Sequence, residues 1–260
     1  MAVVPTEGPE VMMPSSPEEA VAAFGDGDGV TVFGGATILM VELTHGRVAP
    51  RRALLLDRAQ LAGVRAEDGR TVVGAMTRLS ELESGVEPLA TAARHVADGE
   101  IRAQATLGGN LCAPPGVESP RGDLQAALIA LGAEVRSAGA GGERTEPVED
   151  FLAAGADGRL VLDVSFGAPE AAASASVRRP HAHAYTIMAV HGARVGGELR
   201  LAATGVGPRA VRLRAAEQGE AARALDDATP ADDALASAWY RERTLPVLVA
   251  RVLADLAEEA

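Results

Sequence analysis

The chain has 260 residues, 47% of them hydrophobic, enough to bury a core in one large domain or two smaller ones. Its formal net charge of −12 excludes non-specific nucleic-acid binding, because a phosphate backbone would be repelled, but leaves room for a small anionic cofactor held by backbone N–H groups or arginine. Cys112 is the only cysteine, which excludes an intrachain disulfide and a cysteine-ligated iron–sulfur cluster on this chain.

The opening Met1-Ala2-Val3-Val4 has no basic stretch ahead of an apolar core, so no signal peptide is expected. No run of 18 apolar residues predicts a membrane span, and the cytoplasm is the expected location. With 3% aromatics, the core must be built from Ala, Val and Leu. Ser16 reads as a helix cap, with Pro17 at the first helical position and Glu18 and Glu19 at the positive end; the helix stops at Gly25. Val30 to Phe33 reads as a strand, and Thr37 to Leu43 as a helix. Leu54 to Asp57 and Thr71 to Ala75 read as strands, with a hairpin-type turn at Glu67-Asp68-Gly69-Arg70. Leu79 to Glu83, Pro88 to Val96 and Leu124 to Leu131 look helical; a strand follows around Ala133 to Val135, then a flexible loop from Gly139 to Gly142. A boundary is expected near 154–158. Beyond it come strands at Leu160 to Phe166, Thr186 to Val190 and Glu198 to Ala203. Helices are expected at Arg214 to Leu225 and Asp232 to Leu256, the second with Leu235, Trp239, Leu245, Leu248, Val249 and Val252 facing the core. The class is α+β.

Two glycine pairs stand out, Phe33-Gly34-Gly35-Ala36-Thr37 after a strand and Ala105-Thr106-Leu107-Gly108-Gly109-Asn110 further on. Glycine permits positive φ and close backbone approach, and successive N–H groups can then form an anion-binding nest. Thr37, Thr106 and Asn110 could add side-chain donors, so two such loops could grip a pyrophosphate. Glycine pairs also mark plain turns, as Gly141-Gly142 and Gly196-Gly197 appear in this reading. Neither loop has the Gly-x-Gly-x-x-Gly or Walker spacing, which removes the main support for a Rossmann or triphosphatase site.

The strings themselves carry more. Ile101-Arg102-Ala103-Gln104-Ala105-Thr106-Leu107-Gly108-Gly109-Asn110 resembles the IRN-x-ATIGGN signature of the FAD domain in molybdopterin dehydrogenases. Phe33 to Thr37 is similar to that family's AGGTD loop, Thr71 to Thr77 to its IGAxTT segment, and Gly122-Asp123-Leu124 with Leu128 to Ala133 to SDL-x-PALLALGA. Glu149-Asp150-Phe151 resembles the DFF that closes the domain, and Ala236 to Val252 the family's C-terminal GSAEYRRxxxPVLVRRAL. The matches run in family order over nearly the whole chain. The chain departs from the pattern at Ala103, where Asn is usual, at Thr37-Ile38, where TD or HS is common, and in a longer linker from Cys112 to Arg121.

The resemblance implies the medium, FAD-carrying subunit of a molybdenum hydroxylase of the carbon monoxide dehydrogenase and xanthine dehydrogenase type. It implies a PCMH-like FAD domain over 1–155, in two α/β subdomains of about 1–57 and 58–155. A C-terminal domain over 156–260 would carry a three-stranded antiparallel sheet with helices. FAD, bound non-covalently, would be held by Phe33, Gly34, Gly35, Ala36, Thr37 and Ile38 and by Thr106, Leu107, Gly108, Gly109 and Asn110. Asp123 would bond flavin-side hydroxyls. Electrons would arrive from a 2Fe-2S subunit, itself fed by a molybdopterin subunit, both on other chains, and leave to an external acceptor. A stand-alone flavin oxidase or dehydrogenase, and a binding module that has lost FAD, are the competing functions.

Other residues keep two readings. Asp123 could instead cap the helix at Leu124. Arg102 could pair with a carboxylate or reach the cofactor. Tyr185 could lie near the flavin ring or simply pack. His181, His183 and His191 could suggest a metal, but spacing fixes no further ligand, and no metal is expected. Cys112 reads as a small buried residue.

Overall fold

The structure is a computed structural model that describes residues 8–116, 121–179 and 185–258. Ser16 caps the first helix as its sequence suggests, its Oγ accepting from Glu19 N at 3.2 Å, and the chain leaves the helix through Gly25 at φ +60°. This first unit holds β1 (Glu10–Met12), α1 (Pro17–Phe24), β2 (Val30–Phe33), α2 (Leu39–Thr44) and β3 (Arg52–Leu55). Its strands form a parallel sheet in the order β1-β3-β2, with Ala20, Phe24 and Leu54 buried between helix and sheet.

The second unit runs through β4 (Val64–Glu67), β5 (Arg70–Gly74), α3 (Leu79–Leu82), α4 (Leu89–Arg94), α5 (Gly99–Arg102), α6 (Leu107–Leu111), α7 (Leu124–Ala130), β6 (Glu134–Gly139), β7 (Gly142–Pro147), α8 (Val148–Ala154) and β8 (Leu160–Gly167). The strands make one antiparallel sheet, β4-β5-β8-β6-β7. Every residue of α7 is buried, because it packs on α4, α6 and α8 on one side and on the following sheet on the other. Shortening its Leu128 to Ala would cost about 2–5 kcal/mol.

The third unit has β9 (Ala171–Arg178), β10 (Thr186–Val195), β11 (Glu198–Thr204), β12 (Val211–Arg212) and the long α9 (Ala238–Glu258). Helix α9 lies on β9 and β10 and buries Leu245, Leu248, Val249 and Val252, as the amphipathic pattern requires.

The α+β class stands, with several differences in detail. The C-terminal sheet has a fourth, two-residue strand, β12, beside the three long ones. The expected helix from Arg214 to Leu225 is two 3-10 turns, Ala216–Gln218 and Ala221–Asp226, broken by Gly219 at φ +93°. The last helix begins at Ala238 rather than Asp232. Asp233 Oδ1 accepts from the N–H groups of Leu235 and Ala236, closing a turn there, and Asp232 accepts from Ala238 N. Trp239, expected in the core, falls on the first turn of this helix and is 62% exposed, with Arg243 4.8 Å over its ring. The loop from Gly139 to Gly142 is a tight hairpin between paired strands. Strand β8 lies mid-sheet between β5 and β6, beyond the division expected at 155.

Candidate functional site

Strand β2 ends at Phe33, whose carbonyl accepts from Leu56 N at 3.1 Å. The chain then leaves the sheet through Gly34-Gly35-Ala36-Thr37-Ile38 and enters α2, a helix with no buried residue. Ala36 sits at φ +56°. A residue with a Cβ pays about 1–2 kcal/mol for that left-handed conformation. Such strain collects at functional sites. Among the described residues, the backbone N–H groups of Gly34, Gly35, Ala36, Thr37 and Ile38 donate to no hydrogen bond. A turn that passes through the left-handed region with consecutive free N–H groups is an anion-binding concavity.

The second glycine loop differs. Thr106 caps α6, its Oγ1 accepting from Gly109 N at 3.2 Å. Gly108 and Gly109 are helical, not at positive φ. Leu107 N donates to Thr77 O, Gly108 N to Ala75 O and Asn110 N to Thr106 O, at 2.8–2.9 Å. The expected nest is therefore absent here, because its donors are used internally. Gly108 is small for packing: a Cβ would lie 3.0 Å from both the Cβ and the carbonyl oxygen of Ala75. Asn110 is also engaged, its Oδ1 accepting from Leu124 N at 2.9 Å and its Nδ2 donating to Arg121 O at 3.5 Å.

The two loops touch. A Cβ on Gly35 would stand 2.8 Å from Ala105 Cα and closer still to Gln104 O, and one on Gly34 would stand 3.0 Å from Thr106 Oγ1. A third segment completes the floor. Arg78 forms an antiparallel bridge with Thr106, and its guanidinium donates to Gln104 O, the carbonyl that Gly35 abuts. Arg78 and Gln104 were not among the residues singled out from sequence. Only the contact between loops reveals them.

The remaining expected residues resolve as follows. Arg102 pairs with Glu83 at 2.7 Å and donates to the carbonyls of Val96 and Ala97, so it holds the turn between α4 and α5. Asp123 does not cap α7; its backbone is already helical, and Asn110 fills the capping role from α6. Its buried carboxylate instead accepts from Arg121 Nε at 3.1 Å. Burial raises the Asp123 pKa, and the Arg121 charge opposes that rise. Arg121 also donates to the carbonyls of Thr186 and Ile187, tying this corner to β10. Tyr185 is 44% exposed just before β10. Cys112 packs partly buried against the second core, where burial pushes its thiol up to about 12. His181 and His183 lie outside the described residues. His191 is buried against Ser174 Oγ at 2.8 Å, and burial first, then the nearby His95, lowers its pKa to about 4. Among the described residues, no group of three His, Cys, Asp or Glu is placed to hold a metal, and no helix is long and apolar enough to cross a membrane.

The open donor row fits the diphosphate of a dinucleotide. It offers N–H groups without side chains at Gly34 and Gly35, and the Thr106 hydroxyl stands beside Gly34. Comparison with known proteins gives the family. A family model described as the FAD binding domain in molybdopterin dehydrogenase matches residues 7–166. The chain is similar to the carbon monoxide dehydrogenase medium chain of Hydrogenophaga pseudoflava, 32% identical over 154 residues, covering 55% of this chain and 51% of that one. It is also similar to caffeine dehydrogenase subunit beta of Pseudomonas sp. (strain CBB1), 31% identical over 152 residues, covering 55% and 50%. The chain thus spans about half the length of the curated relatives it matches. In fold it resembles carbon monoxide dehydrogenase from Hydrogenophaga pseudoflava, with a TM-score of 0.84 at 24% identity over 99% of this chain and 100% of that one. Quinoline 2-oxidoreductase from Pseudomonas putida 86 gives 0.83 at 20% identity over 98% and 99%.

Proposed function

The chain belongs to the family of FAD-binding domains of molybdopterin dehydrogenases, with FAD as its cofactor, and from that premise we propose that it is the electron-transferring flavoprotein subunit of a molybdenum hydroxylase. It takes electrons from a 2Fe-2S subunit and hands them to an external acceptor, in the cytoplasm. The observation that carries the reading is the row of free N–H groups from Gly34 to Ile38, braced by the second loop at Gln104 and Ala105. Bound FAD supplies a carrier that can accept two electrons and release them singly. The chain's own part is to hold the diphosphate on the 34–38 row and to keep the Thr106 hydroxyl beside it. Phe33 sets where the row leaves the sheet, and the second loop, which continues through Leu107, Gly108, Gly109 and Asn110, meets the row at Gln104, Ala105 and Thr106. Arg102 is held in place by Glu83, and Asp123 by Arg121. Tyr185, on the C-terminal side, is the aromatic available to the flavin ring.

A partner supplies the iron–sulfur cluster, since Cys112 is the only cysteine. The names of the two relatives, a medium chain and a subunit beta, favour an assembly. Two subdomains, about 1–57 and 58 onward, make the FAD-binding region. The C-terminal region follows from about 156, and the place of β8 between β5 and β6 supports counting Leu160–Gly167 with the FAD-binding region.

Affinity purification from the native cell, with cofactor analysis, tests the reading. Iron–sulfur and molybdopterin chains should co-purify. Acid precipitation should release FAD into the supernatant. Yellow protein that purifies alone and turns over a substrate by itself would favour the stand-alone oxidase. Flavin retained in the pellet, or FMN in place of FAD, would overturn the non-covalent FAD assignment.

A further inference from the structure

The donor row of the first loop is electrically neutral, and the chain around it carries a net charge of −12. A diphosphate brought there from water needs a cation nearby to offset the loss of hydration. Arginines in the surrounding elements are mostly committed: Arg47 to Glu42 at 2.8 Å and Arg102 to Glu83 at 2.7 Å. Arg78 is different. Glu81 Oε1 accepts from its backbone N–H at 3.1 Å, but the only carboxylate paired with its guanidinium among the described residues is Asp57, at 3.7 Å and 62% exposed, too far and too wet to neutralise it. Its guanidinium bonds the Gln104 carbonyl, the same atom against which the Gly35 backbone is pressed. Its main chain pairs with Thr106, whose hydroxyl stands beside Gly34. One charged group therefore joins all three segments of the cradle at the point where the free N–H groups begin.

We propose that Arg78 is the phosphate-recognising cation of this site, donating from its guanidinium to the cofactor diphosphate while its bond to Gln104 O keeps the fork aimed at the first loop. This rests on the reading that FAD lies along residues 34–38. An arginine fork suits this task better than a lysine, because its donors are planar and one can stay on the carbonyl while others reach the phosphate oxygens.

The test is titration of the flavin-free chain with FAD, ADP and riboflavin at several salt concentrations. Arg78→Gln should weaken FAD and ADP by about ten- to a hundredfold and flatten their salt dependence. Riboflavin, which carries no phosphate, should bind as to the unmodified chain. Arg251→Gln, the same charge change on the exposed face of α9, should leave all three ligands unaffected. Equal weakening of riboflavin and FAD would mean that Arg78 only holds the Gln104 loop, and would overturn the proposal. Gly35→Val marks the site itself. If it abolishes FAD binding while Arg78→Gln leaves FAD and ADP unchanged, the Arg78 assignment alone fails. If neither variant alters FAD binding, the placement of FAD on the first loop fails with it. Should Arg78→Gln not fold, Arg78→Lys decides. It keeps the charge and should keep the salt dependence of ADP binding, and a folded Lys variant without that dependence overturns the proposal.

Discussion

The two glycine loops share a sequence signature and have opposite structures. Residues 34–38 leave a strand end with their N–H groups free and Ala36 in a left-handed conformation. Residues 106–110 form a capped helix start in which the N–H groups of Leu107 to Asn110 are all bonded and whose side chains run into the interior through Asn110, Arg121 and Asp123. A glycine pair can therefore mean an open surface for a ligand, or a place where backbone must pass close to backbone. Which it means depends on where the N–H groups go. The open loop should be sensitive in binding and the closed one in stability.

The largest effect is expected on the closed side. Asp123→Ala removes the carboxylate from Arg121, a guanidinium only 4% exposed. Breaking a buried pair by deleting one partner costs about 3–5 kcal/mol. Denaturant unfolding of the flavin-free chain should show a loss of that order. Asp123→Asn, which can still accept from Arg121, should lose less. A loss of only about 0.5–2 kcal/mol would instead be the size of a missing helix cap.

Gly35→Val should follow on the open side, by more than a hundredfold in FAD affinity. Its new side chain must displace Gln104 and Ala105, separating the loops, and the flavin-free chain should lose about 1–3 kcal/mol to overpacking. Fluorescence titration with FAD, alongside melts of the same samples, measures both. Intact affinity in a folded variant would remove the first loop from the site.

Much of this architecture was legible beforehand, for identifiable reasons. The Ser16-Pro17 cap and the apolar spacing of Leu245, Leu248, Val249 and Val252 are local signals, and the structure follows them. Strand β7, Gly142–Pro147 with no large apolar side chain, and strand β9, mostly Ala and Ser, carry no clear apolar alternation. Tertiary pairing makes them strands, so no window of sequence could reveal them. At the site, the motif strings located both loops but could not tell a free N–H from a bonded one. That depends on Ala75 and Thr77, which approach the second loop from a distant segment. Asp123 was ambiguous for the same reason, since the residue that caps α7 lies on another helix.

The closed interior should also register in pH. His191 is 2% exposed, and its pKa is lowered from 6.5 to about 4, chiefly by burial. A group whose folded pKa is depressed binds protons more readily when unfolded. Its neutral form thus contributes fully above about pH 6.5, and the contribution is lost as pH falls toward 4. Between pH 7.5 and pH 5 this histidine should account for about 2 kcal/mol of lost stability. His191→Gln should lose less than the unmodified chain by that amount over the same interval. Parallel curves for the two proteins would show that His191 does not titrate in this range.

The smallest effect tests the comparison most directly. Gly109→Val places a β-branched residue on the first turn of α6, where a Cβ meets only the Thr106 hydroxyl, at 3.1 Å. The backbone is helical there, so no left-handed strain arises, and the cost in stability should be that of helix propensity and a crowded cap, about 1 kcal/mol or less. The side chain would still crowd the Thr106 hydroxyl, which also stands beside Gly34. If the cofactor diphosphate uses that hydroxyl, FAD should bind about tenfold more weakly, the worth of one hydrogen bond of roughly 1.4 kcal/mol. Unchanged affinity would make the second loop purely a brace, with recognition confined to residues 34–38. A loss as large as that of Gly35→Val, in a chain as stable as the unmodified one, would mean that the second loop contacts the cofactor as closely as the first. The division between an open loop and a closed one would then fail, because bonded N–H groups at a helix start would be binding the ligand through their positive end rather than through free donors.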